Sequence, residues 1–142
     1  NYVASYSTGA NPYPLSGTSA YLCTRLSPEG KGEIWKVDYD TNIEECILSH
    51  NTTGYSSPRI SPDGKWILCV GESVIQNNKK VYRNTDIFVC RIDGTQLTQL
   101  TFHAADDISP IWSKDGKYIY FVSQRGSETG TANIWKMNFN VL

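Results

Sequence analysis

Four groups of side chains have the types and spacing to do chemistry. His103, Asp106 and Asp107 lie in one short segment. An imidazole beside two carboxylates suits a cation or a polar ligand, and it equally suits capping of loop backbone groups. Lys79, Lys80 and Arg83 fall in the stretch 71–85, which is longer than its counterparts elsewhere in the chain. The stretch reads as a long loop, and long loops on a rigid scaffold often carry recognition, so these cations are candidate ligand-binding residues along with the first group. Asp63-Gly64 and Asp115-Gly116 resemble calcium-loop fragments, yet Asp in a tight turn ordinarily caps its own backbone, and that role is expected here. Trp35, Trp66, Trp112 and Trp135 offer flat faces for a sugar, but they occupy strand positions, where packing between layers is expected.

The catalytic motifs with a known mechanism are missing. There is no G-x-S-x-G, no H-E-x-x-H and no glycine loop of the phosphate-binding kind. The expectation is a protein without catalytic residues, metal or cofactor. Asn51-Thr52-Thr53 is a glycosylation pattern, meaningful only in a secreted eukaryotic protein.

These residues are set in a repeated frame. Ser109-Pro110-Ile111-Trp112-Ser113-Lys114-Asp115-Gly116-Lys117 precedes the apolar run Tyr118–Val122. The same unit stands about 50 residues earlier, as Ser57–Lys65 followed by Trp66–Val70. Each reads as strand, two-residue Asp-Gly turn, strand. A third strand follows in each repeat, at Glu33–Asp38, Asp86–Arg91 and Asn133–Asn138. Fourth strands are expected at Glu45–Leu48 and Leu97–Leu100, and no stretch shows a helical period. Asn11–Gly17 stands where Pro58–Gly64 stands, without the Asp, and Val3–Gly9 reads as a leading outer strand with its connector.

Composition sets the limits. The chain has 142 residues, 39% of them apolar, which is enough for one packed domain and argues against disorder. The net charge of -1 and the lack of a basic block exclude a nucleic-acid surface of the usual kind. No apolar run reaches the length of a helical membrane span, and the chain as given carries no signal peptide. Cys23, Cys46, Cys69 and Cys90 form no C-x-x-C pair, and the two histidines have no zinc spacing. Each cysteine sits in an apolar run, so all four are expected as buried free thiols, with disulfides the alternative.

Four-stranded antiparallel repeats of this period are the mark of β-propeller blades. The expected fold is all-β: one domain over 1–142, with blades at about 10–50, 55–101 and 106–142. Segment 1–9 is expected to act as a swapped or closing outer strand. Leu100-Thr101 through Asp107, Pro110, Trp112-Ser113, Asp115-Gly116-Lys117, Phe121-Val122-Ser123, Arg125-Gly126 and Ile134-Trp135 resemble the repeat of the TolB-type propeller family. Ser57-Pro58, Ser61–Lys65, Ile87-Phe88 and Asp93-Gly94 are similar to it as well. The resemblance implies a non-catalytic binding module that presents one face to a protein partner, in the periplasm or outside the cell. Similar repeats also occur in the propellers of prolyl-oligopeptidase-type peptidases and of some polysaccharide lyases, so a domain of, or accessory to, such an enzyme is the alternative. Closed propellers need four to eight blades. Three blades therefore imply half of a six-bladed ring, closed by a second copy as a homodimer, unless further blades lie on a longer chain.

Overall fold

The computed structural model describes residues 3 and 8–140. Among these are eleven strands and no helix. The first blade is β1 (Ala10–Pro14), β2 (Ala20–Leu26), β3 (Gly32–Asp38) and β4 (Ile43–Leu48). The second is β5 (Thr53–Ile60), β6 (Trp66–Asn77), β7 (Lys80–Arg91) and β8 (Thr98–Gln99). The third is β9 (Asp107–Trp112), β10 (Tyr118–Ser123) and β11 (Asn133–Asn138). Each blade is one antiparallel meander in chain order. The expected leading outer strand lies outside the described residues, apart from an exposed Val3 and the 8–9 pair.

The core lies between blades rather than within one. The run Trp66–Val70 is buried on both faces of its sheet, because the second blade is sandwiched. Ile67, Cys69, Phe88 and Cys90 meet Leu22, Ile34 and Leu48 of the first blade. Leu68, Val70 and Ile87 meet Ile119 and Phe121 of the third. Period-two alternation thus divides one strand between two cores. Trp66 and Trp112 pack at the second boundary, each edge-on to Phe139, and the Trp112 indole donates to Arg59 O at 3.0 Å. Trp35 and Trp135 depart from the expected packing between blades: they lie under Arg25 and Arg125 in cation–π contact, and Trp135 is 37% exposed.

Every innermost strand carries the same irregularity. Asn11, Ser57 and Ser109 have positive φ (51°, 56° and 53°), each precedes a proline, and each coincides with a register shift against the neighbouring strand. A bulge accepts a proline that a regular ladder would reject.

Three local expectations are corrected. The Asp-Gly turns are not two-residue hairpins. The strands stop at Ile60 and Trp112 and resume at Trp66 and Tyr118, with the loop closed by Gly64 N donating to Ser61 O and Gly116 N to Ser113 O. Positive φ falls only on the glycine, whereas a two-residue type I′ turn needs it at both central residues. The stretch 71–85 is not a loop. It pairs without a break from Gly71↔Asp86 to Asn77↔Lys80 and turns through Asn78 and Lys79, both at positive φ. Val74, Ile75, Val81 and Tyr82 have the β-branched and aromatic character that favours this ribbon. Finally, Cys46 is exposed on the outer strand β4, while Cys23, Cys69 and Cys90 are buried; all four are free. Cys46 pairs with Trp35 on the face turned away from the second blade, whereas Leu48 of the same strand pairs with Ile34 on the face that blade covers.

Candidate binding surface

Strand direction decides which residues meet. The turns at Asp63 and Asp115 lie at one end of the blades; the ribbon β6–β7 and the 101–106 connector lie at the other. The ribbon base is bolted to that connector. Thr85 N donates to Asp106 Oδ1 at 2.9 Å, and Asn84 Nδ2 donates to His103 O at 3.1 Å. His103 Nδ1 accepts from Ala105 N at 2.9 Å and so caps its own loop. His103 and Asp106 are therefore brought to the ribbon base, because the β6–β7 turn and the β8–β9 connection emerge at the same end of the blades.

Lys79 and Lys80 are not part of that cluster. They occupy the ribbon tip, about 15–20 Å farther out at the usual strand rise. Arg83 stands on the ribbon and pairs with Glu72 at 3.0 Å, both side chains exposed. The ribbon also exposes Val74, Ile75, Val81 and Tyr82. These alternate between its two faces, so both faces are partly apolar.

Asp107 is fully buried at the boundary of the second and third blades, where Arg125 Nη2 donates to its Oδ2. Arg125 is held there by the Phe121 ring at 5.0 Å. Asp86 lies alongside and accepts from Thr101, Asn84 and Gln99. Burial raises the Asp86 carboxyl above its ordinary range, and the Asp107 charge adds to the effect. Each acid is bonded within its own blade, Asp86 in the second and Asp107 in the third, so both serve the packing of their blades, which sequence spacing alone does not distinguish from a surface site. Sequence reasoning also missed Asn84 and Thr85 as the bolt, because the stretch read as loop.

No protein-family model matches the chain. It is 27% identical over 128 residues to Uncharacterized protein Atu1656 of Agrobacterium fabrum, spanning 82% of this chain and 41% of that protein. It is 32% identical over 72 residues to Dipeptidyl-peptidase 5 of Porphyromonas gingivalis, spanning 50% of this chain and 10% of that one. Among solved structures, TolB from Acinetobacter baumannii superposes with a TM-score of 0.65 at 21% identity, over 91% of this chain and 29% of that one. A putative TolB from Agrobacterium tumefaciens gives 0.62 at 24% identity, over 84% and 39%. An acylaminoacyl peptidase of Pyrococcus horikoshii gives 0.62 at 13% identity, over 92% and 24%. The chain thus spans well under two thirds of these relatives. Its fold is that of the TolB-type propeller, present here as three adjacent blades.

Proposed function

We propose that this chain is a non-catalytic recognition module of TolB-like propeller type that presents its ribbon end to a protein partner. The observation that carries the reading is the projecting, fully paired ribbon. A bolted base places Val74, Ile75, Val81 and Tyr82 in solvent beside Lys79 and Lys80. Apolar side chains on a projecting, structured element favour a binding role, because nothing in the fold needs them exposed. Replacing residues 74–83 with a two-residue turn, which keeps Asn84 and Thr85, should abolish capture of the partner and leave the unfolding midpoint nearly unchanged. Retained capture would place recognition elsewhere. The periplasmic or extracellular placement belongs to this reading, through the TolB resemblance. Among the described residues no helix is long and apolar enough to cross a membrane.

The module's open end is part of the same proposal: a second copy closes a six-bladed ring. The peptidase reading is favoured by a different observation, the similarity to Dipeptidyl-peptidase 5 and to the acylaminoacyl peptidase. In that reading the chain is a propeller domain and the hydrolase is a separate segment. A hydrolase segment in the full gene product would decide for it.

A further inference from the structure

We propose that the groove built around Arg59, at the turn end of the inner strands, is a binding site for a carboxylate carried on an apolar body. Tyr13, Arg59 and Ile111 occupy one repeat position, each two residues past the left-handed bulge residue of its strand. The inner strands β1, β5 and β9 are neighbours in that order. The three side chains therefore form a row across the first strands of the three blades. Two adjoining cavities, of about 360 and about 410 Å³, share Tyr13, Ile60 and Pro62 as walls.

Within that row Arg59 is the informative residue. Its guanidinium lies over the Tyr13 ring at 5.2 Å, and Nη1 donates to Pro58 O at 2.9 Å. Arg25, Arg83 and Arg125 each pair with a carboxylate, whereas Arg59, like Arg91 over the Trp66 ring, forms no ion pair among the described residues. A half-buried arginine anchored over a ring and by one bond to Pro58 O keeps further N–H groups, and a guanidinium fork matches a carboxylate in two parallel hydrogen bonds. Lys114 adds a second cation to the same cavity. Ile111, 49% exposed, with Ile60 and Pro62, gives the apolar wall for the ligand body. The cavities lie in the lower part of the range for small-ligand sites, which sets the scale at a single aromatic acid or the last residues of a peptide.

The test is calorimetric titration of the chain with 3-phenylpropionate, with N-acetyl-glycyl-phenylalanine, and with the neutral amide of each. A ligand of this size should bind with Kd on the order of 1 mM, and each amide should bind at least about tenfold more weakly. Comparable binding of both acids identifies the free acid as sufficient. Binding of the dipeptide alone identifies a peptide terminus as the source. Arg59→Gln should weaken binding about tenfold, Arg59→Lys by less, and Lys114→Gln by a few-fold, with unfolding midpoints within a few degrees of the parent. The proposal is overturned if neither acid binds at about 10 mM, if the amides bind as well as the acids, or if Arg59→Gln binds unchanged.

Discussion

Ser61 and Ser113 each hold a turn from both sides. The Ser61 hydroxyl donates to Asp63 Oδ1 and accepts from Trp66 N at 3.0 Å, and Ser113 repeats this with Asp115 and Tyr118. Ser61→Ala would leave the buried Trp66 N–H unpaired, at a cost of about 1–2 kcal/mol. The expected drop in unfolding midpoint is a few degrees, read by thermal denaturation; no change would mean the turn holds without its hydroxyl. The paired carboxyls add a pH dependence. The Ser61 hydroxyl holds Asp63 below its ordinary range, and the Lys117 amide does the same for Asp115. Groups lowered on folding stabilise above the unfolded pKa, and that stability is lost as pH falls through the folded value. Asp86 has the opposite sign, since burial raises it: its penalty is absent in acid and grows as pH rises through its folded value. The double variant Asp63→Asn, Asp115→Asn should therefore lose part of the acid-side fall in stability. An unchanged profile would count against the assignment. The thiols separate by place as well. Cys46 should label first in native protein, while Cys69 and Cys90 stay slow, both pushed up by burial and Cys90 to about 12. Equal labelling of all four would contradict the fold around them.

The bulges set the curvature of each inner strand, and two of them rest on serine. A non-glycine residue in the left-handed region costs roughly 1–2 kcal/mol, while glycine in a strand costs roughly 0.5–1 kcal/mol in chain entropy. The first term is larger. Ser57→Gly should therefore raise stability by about 0.5 kcal/mol, and Ser57→Val should lower it by more than 1 kcal/mol. Chemical denaturation measures both, and a destabilised glycine variant would show that Ser57 contributes a contact beyond its backbone. At the same scale, Gly71 allows the ribbon to begin. A Cβ there would lie 2.4 Å from the Phe88 ring, so any larger residue displaces Phe88 from the first core.

At the scale of the whole molecule the two terminal faces differ. Ile34, Ile87 and Ile134 are one repeat position in three blades. The first two are fully buried by the following blade, and Ile134 is 76% exposed. Ile108 is exposed on the same sheet, at 43%. Among the described residues β11 has no outer partner, which leaves its ladder open. The first blade's outer face is different. Arg25 crosses it over Trp35, forks onto Glu44 with two bonds of 3.0 Å, and donates to Thr8 O, so that Cys23 and Val37 are covered. Burying one isoleucine is worth about 1.5–3 kcal/mol, so the third blade's face favours a cover strongly. If a second copy closes the ring as proposed, light scattering should give about twice 15.9 kDa, and Ile134→Glu should return the mass to one chain without loss of strand content. A soluble single chain, or a dimer indifferent to Ile134→Glu, would overturn closure by a second copy.

The strands, their order and the propeller class follow from the chain alone, because the signals involved are local. Alternation of apolar residues, a turn before each second strand and a period near 50 residues depend only on neighbours in sequence. The buried pairs and the site depended on distant parts of the chain. Asp106 and Asp107 are adjacent with identical side chains, yet one bonds Thr85 at the surface and the other is sealed against Arg125, because successive strand residues face opposite ways. Cys46 and Cys69 sit in similar apolar runs, and only the presence of a covering sheet separates the exposed thiol from the buried one. The ribbon escaped notice because polar residues at its tip interrupt the alternation, while its pairing comes from a partner strand in register. Arg59 shows no local signal at all: its role arises from a row of three side chains brought together across blades, and only tertiary packing makes that row.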